Sequence, residues 1–136
     1  MKILVAVDSS DHAFKALAKA IEMAKGQGAE LTVMSVAWEL PEVMEIPMGT
    51  ADKLMDHAVR AVTRAKQLAE EAGVKCQTRV EVSGSPADNI VRYAAESKTD
   101  VIVLGHRGLS ALDRFVVGSV AGRVVAYAPC SVFVVR

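Results

Sequence analysis

Residues 3–11 read Ile3-Leu4-Val5-Ala6-Val7-Asp8-Ser9-Ser10-Asp11, an aliphatic run that passes directly into a carboxylate and a cluster of helix-capping side chains. A run with no polar alternation suits a strand covered on both faces, as in a parallel sheet. Ser9, Ser10 and Asp11 carry oxygens able to accept from the free amides of a helix start. Phe14, Leu17, Ala18 and Ile21 then fall on one helical stripe. Gly26 and Gly28 can stop that helix through a left-handed turn. The segment therefore predicts a first strand ending in Asp8, followed by a helix.

The same alternation continues outward. Residues 31–37 predict a second strand, and Leu54, Ala58, Ala61, Val62, Ala65, Leu68 and Ala69 predict a helix up to Gly73. Lys53, Asp56, Arg60, Arg64 and Glu71 form the opposite, solvated face of that helix. Cys76, Thr78, Val80 and Val82 alternate with polar residues, which predicts an edge strand with one wet side. Ser85-Pro86-Ala87-Asp88 combines a hydroxyl cap, a proline at the first helical position and an acid three residues after the cap. Ile90, Val91, Ala94 and Ala95 give the stripe of that helix. A fourth strand over 101–104, a helix over Ser119–Tyr127 and a fifth strand over Ser131–Val135 complete the pattern. The order βαβαβαβαβ predicts a single α/β domain: a doubly wound, mostly parallel sheet with right-handed crossovers and helices on both faces.

Composition agrees with one globular domain and narrows its partners. A chain of 136 residues matches the roughly 100–150 of a typical domain. Sixteen basic side chains balance sixteen acidic ones, so the chain lacks the cationic excess of a general nucleic-acid binder. Aromatic residues make up 4%, too few for a surface that stacks single-stranded bases. No apolar run reaches the roughly 18–20 residues of a membrane span, and the first aliphatic run is too short for a secretory signal. Cys76 and Cys130 have neither metal-ligand spacing nor a disulfide framework, which predicts reduced, packed thiols in a cytoplasmic protein.

Four of the nine glycines (Gly105, Gly108, Gly118 and Gly122) crowd into one stretch after the fourth strand. Gly105 and Gly108 permit a tight turn and a close backbone approach. Gly118-Ser119 sits at the start of the last helix, where free amides and the dipole favour an anion, and Arg107 can add a charge-assisted bond. Two readings stay open: a phosphate site, or glycines that only turn the chain and cap a helix. Asp8 likewise reads either as a cap or as a ligand to a ribose hydroxyl or a phosphate-bound metal. No G-x-x-x-x-G-K-[ST] is present, and no G-x-G-x-x-G follows the first strand, which excludes a P-loop NTPase and the dinucleotide fingerprint.

Gly105-x2-Gly108-x9-Gly118-Ser119 resembles the G-x2-G-x9-G-[ST] ATP-binding motif of the universal stress protein family. The resemblance extends over the opening strand, the Ser85-Pro86-Ala87 helix start, residues 101–108 and the closing strand. It implies a five-stranded Rossmann-like sheet, of the adenine nucleotide alpha hydrolase-like kind, in the order 3-2-1-4-5. It also implies a bound ATP with magnesium. Asp8 would contact the ribose or the magnesium, and the Val36 backbone would recognise adenine. Leu104 and Gly105 would flank the ribose, while Arg107, Gly108, Gly118, Ser119 and Val120 would cradle the phosphates. Ala121 stands where some ATP-binding members have a hydroxyl near the terminal phosphate, so ADP and AMP stay open beside ATP.

The family's last strand usually pairs with its copy in a second subunit. Here Ser131–Val135 is apolar on both faces and would be an exposed edge in a monomer, although helices could also cover it. The loop over 38–49, with Met44 and Met48, reads either as a lid or partner surface or as a disordered connection. His12, His106 and His57 are the candidates for general-base chemistry, and the first two read as surface or turn residues. The expectation is a nucleotide-dependent regulatory homodimer of the stress response. The alternatives are a slow ATPase, an enzyme that phosphorylates itself at Ser110 or Ser119, and an interaction module that binds no nucleotide.

Overall fold

Each aliphatic run becomes a strand and each helical stripe a helix in the computed structural model, which describes residues 1–39, 45–106 and 119–136. The order is β1 (Lys2–Ala6), α1 (Asp11–Gln27), β2 (Glu30–Trp38), α2 (Thr50–Glu71), β3 (Cys76–Ser83), α3 (Pro86–Glu96), β4 (Val101–Gly105), α4 (Ser119–Tyr127) and β5 (Ser131–Val135). Five parallel strands form one sheet in the order β3-β2-β1-β4-β5. The chain begins at the centre, winds outward through β2 and β3, then returns to add β4 and β5 on the other side. The crossovers therefore diverge between β1 and β4, which is where sheets of this kind open a crevice.

Alternate residues of the central strands serve two cores. Ile3, Val5, Leu31, Val33 and Val103 pack with α1 and α2, whereas Leu4, Met34, Ile102 and Leu104 pack with α3 and α4. Alanines make the helical side of the first core: Ala13, Ala16, Ala20 and Ala24 on α1, and Ala58, Ala61, Ala65 and Ala69 on α2. Both sets repeat the spacing 3, 4, 4, which keeps small side chains on one face and lets the helix axes lie close to the sheet.

Local chemistry sets most boundaries. Of the three possible caps after β1, Ser10 is the one used: its hydroxyl accepts from the Ala13 amide at 3.2 Å. Gly28, at φ 62°, ends α1 in the left-handed turn. The Ser85 hydroxyl accepts from the Asp88 amide at 3.3 Å, with Pro86 in the first turn of α3. β3 lies at the sheet edge with several exposed residues, as its alternation predicts.

Some expectations need correcting. β1 ends at Ala6 rather than Asp8, although the Val7 amide still donates to the Met34 carbonyl at 2.8 Å. α2, by contrast, begins at Thr50, directly after the loop expected to end near Gly49, and the Thr50 amide and hydroxyl both donate to the Pro47 carbonyl. Ala18 and Ala95 are exposed, because a small apolar residue at a stripe's margin costs little when solvated. Arg64 is not purely solvated, since its guanidinium lies 4.5 Å from the centre of the Phe14 ring on α1. Cys76 and Cys130 are free and half-buried, and burial pushes both thiols above their ordinary pKa.

Candidate functional site

The described members of the expected site are Asp8, Val36, Leu104 and Gly105, at or just past the carboxyl ends of β1, β2 and β4, and Ser119 and Val120 at the start of α4. Asp8 lies two residues past β1 and is half-buried, with its Oδ1 accepting from the Ser10 amide at 2.8 Å. The carboxylate thus braces the turn into α1. Such a bond occupies one oxygen, so bracing does not exclude a ligand role. Val36 lies near the end of β2, half-buried against the cluster that contains Leu104, Ala87 and Ala121. Leu104 is buried, and its side chain belongs to the core shared with α3 and α4.

Gly105 closes β4 with a packing reason of its own. A Cβ added there would lie 2.7 Å from the His12 carbonyl oxygen and 2.8 Å from its carbon. The first turn of α1 therefore rests on β4 through the missing side chain. Among the described residues, this is the glycine whose absence of a Cβ a neighbouring backbone demands.

Ser119 and Val120 open α4 and are both exposed, while Ala121 is buried in the core shared with α3. The methyl of Ala121 thus packs inward where a hydroxyl had been considered. Arg107, Gly108 and Gly118, expected in the phosphate cradle, lie outside the described residues, as do Ser110 and Met44. Of the residues expected in the cradle, Ser119 and Val120 are the described ones.

The histidines sit differently from their reading as surface or turn residues. His106 occupies the bend after β4 but is buried, at 7% exposed, and its amide donates to the Val135 carbonyl at 2.7 Å. Its ring meets that of His12 edge-on, with centroids 6.4 Å apart. The His12 Nδ1 is buried and has no hydrogen-bond partner among the described residues. His57 is exposed on α2. Nothing in linear spacing places residues 12 and 106 side by side; the β1–β4 pairing and the contact at Gly105 do so.

Sequence reasoning also missed a bridge between α3 and α4. The Arg123 Nε donates to Asp88 Oδ1 at 2.7 Å, and its terminal nitrogen donates to Oδ2 at 3.3 Å. That pairing holds the Asp88 carboxyl below its usual pKa and the Arg123 guanidinium above its own. Asp88 is thus both the acid of a helix start and the anchor of the next helix.

Asp8 is a single carboxylate, and no group of three or more metal-ligating side chains occurs among the described residues. Such a donor set does not build a protein cage. It suits a magnesium ion that keeps waters and takes its remaining oxygens from phosphates. No described helix is long and apolar enough to cross a membrane.

Comparison with known proteins matches the chain and its fold from end to end. The model of the Universal stress protein family matches residues 1–136. Universal stress protein YxiE of Bacillus subtilis is 34% identical over 146 residues, covering 99% of this chain and 98% of its own. The solved structure of universal stress protein UspA from Lactobacillus plantarum superposes with a TM-score of 0.87 at 32% identity, over 100% of this chain and 97% of that one. The structure of the universal stress protein from Archaeoglobus fulgidus in complex with dAMP has a TM-score of 0.77 at 29% identity, over 100% and 98% of the two chains. With the same five-stranded order and a match from end to end, this chain belongs to the universal stress protein family.

Proposed function

We propose that this chain binds an adenine nucleotide across the carboxyl ends of β1, β2 and β4, with its phosphates at the start of α4. The observation that carries this reading is the winding order: Asp8, Val36 and Gly105 lie at or just past the carboxyl ends of β1, β2 and β4, beside the point where the crossovers diverge, and Ser119 begins α4 after β4. A relative with the same fold and 29% identity was solved with dAMP, which supports the ligand class. ATP is the leading ligand, with ADP and AMP as alternatives because Ala121 offers no hydroxyl. Asp8 would reach the ribose or a magnesium ion that arrives with the nucleotide. The Val36 backbone would meet adenine, and Leu104 and Gly105 would flank the ribose. Arg107, Gly108, Gly118, Ser119 and Val120 would hold the phosphates. Magnesium, when bound, neutralises phosphate charge; Asp8 orients it, and the helix start supplies amides.

The protein acts in this reading as a cytoplasmic, nucleotide-dependent regulator of a stress response and not as a dedicated catalyst. It works as a homodimer joined through β5. Slow ATP hydrolysis or self-phosphorylation remains the second reading, favoured only by the buried His12–His106 contact beside the strand ends. The stretch over 38–49 is the proposed lid or partner surface. Its described part borders a cavity of about 380 Å³ lined by Trp38, Glu39, Ile46, Asp52, Met55 and Val82.

Identification of nucleotide released from the purified protein by mass, followed by calorimetry with Mg-ATP, tests the reading. ATP, ADP or AMP should be recovered or bound below millimolar concentration, and Gly118→Val should abolish binding. Absence of binding by the wild-type chain up to millimolar ATP, ADP and AMP would sink it.

A further inference from the structure

α4 is the least anchored helix of the fold. It has nine residues, too few to persist alone in water, and only Ala121 and Val124 are buried. Two buried apolar side chains hold a helix against a core without fixing its rotation directionally. The Asp88–Arg123 pair supplies a directional restraint. It is a two-bond contact at 2.7 and 3.3 Å between the first turn of α3 and the second turn of α4, and a forked pair of this kind sets orientation as well as distance.

Two local contacts make each partner a stiff arm. The Asp88 amide is tied to the Ser85 hydroxyl at 3.3 Å, so its side chain leaves from a capped turn. Arg123 also lies over the Tyr127 ring at 5.5 Å, one turn further along α4. Helical geometry puts Arg123 on the same face as Ser119, four residues earlier. Its side chain leans back toward the amino end of the helix. The ion pair therefore grips α4 beside the turn that opens the proposed phosphate site.

The geometry points to the Asp88–Arg123 pair as the positioning device of that site: through it, α3 aims the Ser119 and Val120 end of α4 at the phosphates. The inference rests on the nucleotide reading above and assigns the pair no direct contact with ligand. Both side chains are about half exposed, 53% for Arg123 and 55% for Asp88, so solvent limits the effect to several-fold. The effect is confined to the phosphate part of the ligand, because β1, β2 and β4 hold the nucleoside part without α4.

Affinities for ADP and for adenosine, measured by displacement of a fluorescent ADP analogue, separate the possibilities in the wild type, R123Q, D88N and the exchanged double variant D88R/R123D. Each single substitution should weaken ADP about three- to fivefold, the range expected of an exposed pair. Adenosine should change less than twofold, and the exchange should recover most of the loss. Unchanged ADP affinity in both single variants overturns the proposal. So does an equal loss for ADP and adenosine, or a double variant as weak as the singles. Tighter ADP binding by D88N would also overturn it, by showing Arg123 to be a phosphate ligand that Asp88 restrains. A wild type that binds no nucleotide removes the nucleotide reading itself, and this proposal with it.

Discussion

Two glycines that look alike in the sequence have opposite physical roles. At Gly105 an added Cβ would press on the His12 backbone at 2.7 Å, and neither β4 nor the first turn of α1 can yield without breaking ladder or helix hydrogen bonds. Gly105→Ala should therefore destabilise the fold by about 1–3 kcal/mol, the usual cost of overpacking. At Gly122, inside α4, nothing lies within 4 Å of the corresponding position. Gly122→Ala should stabilise by roughly 0.5–1 kcal/mol, because alanine loses less backbone freedom in a helix. Urea unfolding of the two variants checks both signs, and equal shifts would contradict the packing account. The glycine cluster was legible as a special stretch. Which glycine meets backbone was not, since His12 is remote from it in sequence.

Helix starts were the most legible elements, because a cap acts within three or four residues of itself. Ser85-Pro86 begins α3 where the sequence pattern places it. At α1 three candidates competed, and Ser10 prevails because its hydroxyl faces the Ala13 amide while Ser9 stays exposed. Ser10→Ala should cost about 1 kcal/mol of folding free energy. Ser9→Ala should fall within about 0.5 kcal/mol of wild type, as surface substitutions do. Matched denaturant titrations decide between them, and a loss in Ser9→Ala with none in Ser10→Ala would move the cap to Ser9. α2 shows the converse. Its first turn, where Thr50 bonds back to Pro47, carries little apolar signal, so its start was legible from the end of the loop near Gly49 and not from the stripe. The α3–α4 bridge was invisible for a different reason: Asp88 and Arg123 are 35 residues apart and meet only after both helices dock on one face.

For the whole molecule, the winding order leaves β3 and β5 as the two edges of the sheet. β3 is blunted by exposed polar residues, including an Arg79–Glu81 ion pair along the strand. β5 has no such protection: it reads Ser-Val-Phe-Val-Val with Phe133 42% exposed, which suits the proposed pairing with a second copy. Phe133→Lys should shift the protein from dimer to monomer in sedimentation velocity while leaving the monomer folded. A wild type that sediments as a monomer at tens of micromolar would refute the pairing. The sequence by itself determined the α/β class, nearly every element and the glycine motif, because periodicity, caps and backbone freedom act over a few neighbouring residues. Only the tertiary structure decided that His106 is buried against His12, that Gly105 admits a helix backbone and that Asp88 grips Arg123. Those contacts arise when strand pairing and helix docking bring distant segments together, and no local pattern records which distant partner arrives.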